Sequence, residues 1–138
     1  MNVNLRHFVF TVQSVKKSMM DNGGGAIINM GSTSWIIGQG GMAAYTAVKS
    51  GVVGLTRSFA RDLGEFNIRV NSVVPGWVMT QRQMDLWLND ESEKELMKRQ
   101  CLKEKLMPKE LAQAVLFFSS EQSSGCTNQS YVVDKGWL

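Results

Sequence analysis

The sequence predicts an α/β fold, part of a doubly wound parallel sheet with helices packed against it. Short apolar runs at residues 26–30, 68–74 and 130–133 read as buried strands. Longer segments between them carry apolar residues at helical spacing. Strand and helix patterns therefore alternate, the arrangement that builds a sheet covered by helices.

Residues 3 to about 20 open the chain with Val3, Leu5, Phe8, Val9, Val12, Val15 and Met19 on one helical stripe. His7, the only histidine, lies on that helix and reads as a surface or interface residue. Gly23-Gly24-Gly25 reads as a helix stop and a flexible turn. The run Ala26-Ile27-Ile28-Asn29-Met30 is the first strand, and residues 35–41 form a loop beyond it. A long helix over residues 42–63 follows. Ala43, Ala44, Ala47, Val48, Gly51, Val52, Leu55, Phe59 and Leu63 are expected to share its buried face, with Gly64 as the stop. The strand Ile68 to Val74 ends at Pro75-Gly76.

Residues 77 to about 107 change character. Trp77, Gln81, Arg82, Gln83, Trp87 and Asn89 mix aromatic and polar groups, and residues 90–105 form a charge-dense run expected to be a solvated helix. Pro108 suits the first turn of the next helix, whose buried side is Leu111, Ala114, Val115 and Phe118. Tyr131-Val132-Val133 is the last strand.

Bulk composition bounds the function. A length of 138 residues suits one small domain with one core. Hydrophobic content of 43% and charged content of 20% read as soluble and globular. The net charge is +3, with basic residues scattered among acids, so a nucleic-acid partner is not expected. Cys101 and Cys126 give no metal spacing and suit a reduced, cytoplasmic setting. No apolar run reaches membrane-spanning length and no signal peptide, internal repeat or low-complexity tract is visible.

Chemistry concentrates between Ser32 and Lys49, in STSWIIGQGGMAAYTAVK. Tyr45 and Lys49 are four residues apart on the long helix and so share a face. An ammonium beside a phenol favours the phenolate and lowers a pKa that starts near 10, which suits a general acid/base. Ser32 stands at the end of the first strand, 13 residues before Tyr45. A strand-end hydroxyl beside a phenol is a workable pair for polarising a carbonyl. Taken alone, a Tyr/Lys pair at this spacing is usually a solvated helix face.

The pieces NVNL, IINMGS, YTAVK and IRVNSVVPGWVMT stand in one order and spacing along this chain. In these it resembles the short-chain dehydrogenase/reductase family. The resemblance implies a Rossmann-type doubly wound sheet and a nicotinamide-dependent oxidoreductase using NAD or NADP. It implies a catalytic tetrad of Asn4, Ser32, Tyr45 and Lys49, with the Asn4 carbonyl holding a water next to the lysine; read by itself, Asn4 is as well a helix N-cap. Lys49 would also bind the nicotinamide ribose, Pro75, Gly76 and Val78 would border the nicotinamide, and Thr80 would lie near the phosphates.

Residues 77–107 match the family's variable substrate lid. Their Trp/Gln/Arg mixture suits a polyol, since aromatic faces meet sugar C–H groups and amides pair with hydroxyls. The stretch WVMTQRQMDLW resembles bacterial aldose 1-dehydrogenases, so a sugar is the expected small-molecule substrate, contacted by Ser32, Trp35, Trp77, Gln81, Arg82 and Trp87. A 3-oxoacyl or other ketone reductase is the alternative within enzymes, and a non-catalytic interaction surface the alternative outside them.

Two positions depart from the family pattern. Trp35 stands where glycine is frequent, and either narrows the pocket or packs under the loop as core. The family's D-G-G after the last strand is here Asp134-Lys135-Gly136, which puts a left-handed turn at Lys135 in doubt. A larger departure is that no strand followed by G-x-x-x-G-x-G opens the chain. Residues 1–138 are therefore expected to be the C-terminal catalytic half of a single Rossmann domain, inactive as a dehydrogenase without the phosphate turn. Family members form dimers or tetramers, and Ala44, Ala47, Gly51 and Gly54 would permit close subunit contact. An open edge on the first strand would favour aggregation, or assembly through the helices around Phe8 and Val52.

Overall fold

The computed structural model describes residues 5–138. Three parallel strands, β1 (Gly25–Met30), β2 (Ile68–Pro75) and β3 (Ser130–Val133), form one sheet in the order β1-β2-β3. Gly25 pairs with Ile68 and Met30 with Val73, while Ser72 pairs with Ser130 and Pro75 with Val133. Among the described residues the helices are α1 (His7–Asp21), α2 (Ala43–Leu63), α3 (Gln81–Trp87), α4 (Asp90–Arg99) and α5 (Pro108–Ser119). The strands expected from the apolar runs are thus all present, and all parallel.

β2 is the central strand. Ile68 and the run Val70 to Val74 are buried along it, without alternation, as a strand covered on both faces requires. Val12 of α1, Ala60 and Leu63 of α2, and Ile68 and Val70 of β2 form one core cluster. Arg69, between those two, points the other way. Its guanidinium donates to the Phe118 carbonyl (2.8 Å), Ser123 Oγ (2.8 Å) and the Ser120 carbonyl (3.1 Å) at the end of α5. The sheet therefore carries α1 and α2 on one face and α5 on the other.

The turn after α1 follows the glycines. Gly23 and Gly24 have φ of 81° and 142°, and a Cβ on Gly24 would lie 2.5 Å from the Asn67 carbonyl oxygen. The end of α2 differs from expectation. Gly64 stays right-handed and continues into a tight turn, and the left-handed residue that redirects the chain is Asn67 (φ 57°). Asn67 holds that turn by donating its amide to the Gly23 carbonyl, 3.1 Å away.

The buried face of α2 is narrower than the apolar count suggested. Val48, Val52, Thr56, Ala60 and Leu63 are buried, whereas Ala43, Ala44 and Ala47 are exposed. Helical geometry decides this: steps of three and four keep a single stripe over the sheet. Val52 is fully buried and is not available for assembly with another chain. On α1, by contrast, Phe10 is 49% exposed.

Residues 90–105 are not one solvated helix. α4 ends at Arg99 with Leu96 inward, and the chain then bends through residues 101–104, burying Gln100 and Leu106 on either side. Asn89 starts α4 by accepting the Ser92 N–H (2.9 Å), and Ser92 Oγ accepts the Asn89 N–H (2.9 Å). Lys135 does adopt the left-handed conformation that its side chain put in doubt, with φ 61°.

The Arg69 cluster gives a stability prediction. Arg69→Met removes the guanidinium bonds to the Phe118 and Ser120 carbonyls and to Ser123 Oγ, of which the Ser120 carbonyl alone keeps other donors, in Ser123, and each charge-assisted bond contributes about 1.5–3 kcal/mol. The denaturation free energy should fall by roughly 3 kcal/mol, while Lys17→Ala, which removes an exposed pair with Asp21, changes it by less than about 0.5 kcal/mol. Equal effects from the two variants would show that Arg69 does not tie α5 to the sheet.

Candidate active site

The site is built at the carboxyl ends of β1 and β2. Gly31 prolongs the pairing past β1, its N–H donating to the Val73 carbonyl at 2.8 Å. A Cβ there would stand 3.0 Å from Val74 Cγ2, so glycine lets the strand end lie close against β2. Ser32 follows in extended conformation and starts the tight turn Thr33–Trp35. Its hydroxyl donates to Ser34 Oγ (3.1 Å) and accepts the Ser34 N–H (3.2 Å). The serine is therefore held by its neighbours rather than free to rotate.

Tyr45 and Lys49 lie one turn apart near the start of α2. Lys49 Nζ sits 5.7 Å from the centroid of the Tyr45 ring. The same ammonium donates to the Met30 carbonyl at 2.9 Å. This bond joins α2 to the residue two before Ser32, and so brings the Tyr/Lys face to the strand end. Lys49 is half-buried, and burial holds its pKa below the ordinary lysine value. Tyr45 is 39% exposed, so its phenol faces the surface and not the sheet core.

The second wall follows β2. The Gly76 N–H donates to the Val133 carbonyl (2.9 Å), and a Cβ on Gly76 would lie 2.7 Å from Asp134 Cβ. Val78 forms a parallel bridge with Leu106, and Thr80 caps α3 by accepting the Gln83 N–H at 3.3 Å. Trp77 is half-buried, with its indole N–H donated to Gln83 Oε1 at 2.8 Å. Gln81 spends its amide N–H on Asp85 (2.7 Å) but keeps its carbonyl. Arg82 and Trp87 are exposed on α3, and Trp35 is 37% exposed. Asn4 lies outside the described residues.

Three partners were not anticipated: the Met30 carbonyl, Ser34 and Gln83. The spacing S-T-S and W-x-x-x-x-x-Q carries the last two in the sequence, but nothing in the sequence says which backbone carbonyl a lysine will find. Chemically, the strand end offers hydroxyl, phenol and ammonium groups suited to proton transfer and to holding an oxygen. Among the described residues there is no cluster of three His, Cys, Asp or Glu side chains able to hold a metal. No helix among them is long and apolar enough to cross a membrane.

A family model described as Enoyl-(Acyl carrier protein) reductase matches residues 1–138. The chain is 46% identical over 99% of its length to a D-xylose 1-dehydrogenase of Caulobacter vibrioides, covering 54% of that protein. It is 36% identical over 98% of its length to a 3-oxoacyl-(acyl-carrier-protein) reductase of Thermotoga maritima, again covering 54%. Among solved structures, a gluconate 5-dehydrogenase from Burkholderia cenocepacia J2315, in complex with NADP and tartrate, superposes with a TM-score of 0.92. That match has 29% identity and covers 99% of this chain and 54% of the other. The chain thus spans about half the length of the curated relatives it matches.

The environment of Lys49 can be tested directly. Its amine should lose a proton below the ordinary value of 10.5, read from NMR titration of isotopically methylated lysines assigned with Lys49→Met. The folded state binds fewer protons at this amine, so stability from this group rises as pH climbs through the folded pKa towards the unfolded one. A Lys49 titration at or above the ordinary value would contradict the burial described.

Proposed function

The chain belongs to the short-chain dehydrogenase/reductase family, and we propose that it is the catalytic half of a nicotinamide-dependent oxidoreductase acting on the C1 hydroxyl of an aldose. The observation that supports this best is the position of Lys49, stacked over Tyr45 and bonded to the strand end two residues before Ser32. In this reading Tyr45 exchanges a proton with the substrate oxygen, and Ser32 orients that oxygen. Lys49 supplies positive charge beside the phenol. Asn4 completes the proton relay.

The residues present suit NAD or NADP. Lys49 spends one of its three N–H donors on Met30, leaving two for ribose hydroxyls. Pro75, Gly76 and Val78 border the ring position, and Thr80 offers a hydroxyl beyond them. When bound, the dinucleotide supplies the two-electron oxidation or reduction. The first half of a doubly wound sheet carries the phosphate turn in such proteins, so activity is assigned to a subunit in which this chain is joined to that half. As in relatives of this family, such a subunit is taken to work as a homo-oligomer.

The identity of 46% to a xylose dehydrogenase, against 36% to an oxoacyl reductase, favours a sugar. Gln81 and Arg82 on α3 add polar groups where an acyl chain would need apolar ones. Ketone reduction is the second reading, supported by the 36% identity to a 3-oxoacyl reductase and by the exposed apolar side chains of Leu86 and Trp87 on the same helix.

Two outcomes test this. Joined to the first half of the Caulobacter relative, the chain should oxidise aldoses in an NAD(P)H absorbance assay and leave 3-oxoacyl substrates nearly untouched; the reverse preference would establish the ketone reading. In the same chimera Tyr45→Phe should cut turnover about 10²–10⁴-fold with folding unchanged, because it removes the acid/base group and little volume. Turnover within a few-fold of the parent would exclude Tyr45 as the proton-transfer residue.

A further inference from the structure

Residues 77–107 leave the sheet after β2 and return to α5. Their two stems meet at the bridge between Val78 and Leu106, where the Met79 N–H donates to the Leu106 carbonyl at 2.8 Å. Leu106 and Met79 are each 1% exposed. α3 and α4 lie between these stems. Thr80, beside the joint, caps α3.

The returning stem is fixed from below by the turn after β3. The Cys101 N–H donates to the Gly136 carbonyl (3.0 Å) and the Leu102 N–H to the Lys135 carbonyl (3.0 Å). Asp134, itself buried, accepts the Gly136 N–H (2.8 Å) and the Leu138 N–H (3.0 Å), which sets the shape of that turn. Lys135 occupies it at φ 61°, a conformation that favours glycine. Its side chain is only 9% exposed and reaches Glu110 of α5, with Glu104 of the stem 3.3 Å away. Glu110 in turn accepts the Met107 N–H (2.8 Å) at the start of α5. One lysine therefore touches the stem, the helix and the last turn.

We infer that Lys135 is a positioning residue whose side chain clamps the returning stem of segment 77–107, and thereby sets the wall of the site formed by Val78 and Thr80. The inference rests on the reading of this segment as the substrate lid. A lysine at a left-handed position bears a backbone cost that glycine does not. That cost is explicable when the side chain makes bonds glycine cannot. The pair is ionised around neutral pH, since the hydrogen bond from Lys135 holds the Glu110 carboxyl below its usual value and the bond to Glu110 holds Lys135 above its own.

The discriminating variants are Lys135→Gly, Lys135→Met and Lys135→Arg, read by hydrogen exchange and by kinetics in the chimera with the Caulobacter first half. Glycine relieves the backbone but removes the clamp; arginine keeps a cation able to reach both carboxylates. The amides of Met79, Cys101 and Leu102 should exchange about tenfold faster in the Gly and Met variants and at the parent rate in the Arg variant. The amide of Gly31, bonded within the sheet, should be unchanged in all. The sugar KM should rise several-fold in the Gly and Met variants with kcat within about twofold, the pattern of lost ground-state positioning.

Parent-like exchange at those three amides in Lys135→Gly would overturn the clamp. Fast exchange there with an unchanged sugar KM would overturn its link to the site. If the parent chimera turns over neither aldoses nor ketones, the functional reading fails. The lid link falls with it, and the exchange data alone then decide the clamp.

Discussion

The bond from Lys49 Nζ to the Met30 carbonyl is the constraint on which the site depends. It crosses from α2 to the last carbonyl of β1. A second tie lies two turns further along α2, where buried Asn29 donates to Thr56 Oγ1 at 2.9 Å and Thr56 donates to the Val52 carbonyl at 2.8 Å. Both ties join β1 to the same helix. Buried polar groups must be paired or they cost stability. The two links therefore specify register as well as contact: a one-residue slide of α2 would break both.

That rigidity gives Tyr45 its place without direct support. The phenol is exposed, and what positions it is the backbone of α2 beneath it. Ser32 is placed differently, by a strand that continues one residue beyond its last formal pair and by the Ser34 hydroxyl. The two groups thus arise from separate elements that share only the end of the sheet. Such a division is typical of parallel sheets, whose carboxyl ends collect loops from successive strands.

The fold was legible wherever one period dominated the sequence. The runs at 26–30, 68–74 and 130–133 are strands because they are short, apolar and bounded by turn residues, and the structure differs from them by a residue or so at the ends. The stop at Gly23-Gly24 was legible for the same local reason. The stop after α2 was not: Gly64 supplied the composition, but Asn67 supplied the left-handed conformation because its amide finds the Gly23 carbonyl 44 residues away. The role of residues 100–106 was likewise hidden. A charge-dense run looks solvated, and only the turn at Lys135 and Gly136 shows why Gln100 and Leu106 go inside. The placement of Ser32 at a strand end and of Tyr45 and Lys49 on the long helix could be read from the sequence. The Lys49 partner could not, since the Met30 carbonyl lies 19 residues away and is reached only through tertiary placement, whereas Ser34 and Gln83 are local neighbours whose spacing the sequence carries.

The claim that Ser32 and Tyr45 act on one substrate oxygen is the centre of this account. A crystal structure of the chimeric subunit with NAD(P) and a sugar lactone product bound would test it most directly. The account predicts Ser32 Oγ and Tyr45 Oη both within about 2.6–3.2 Å of the same lactone oxygen, with Lys49 still bonded to Met30. A lactone oxygen held by neither hydroxyl, or by groups of α3 alone, would contradict it.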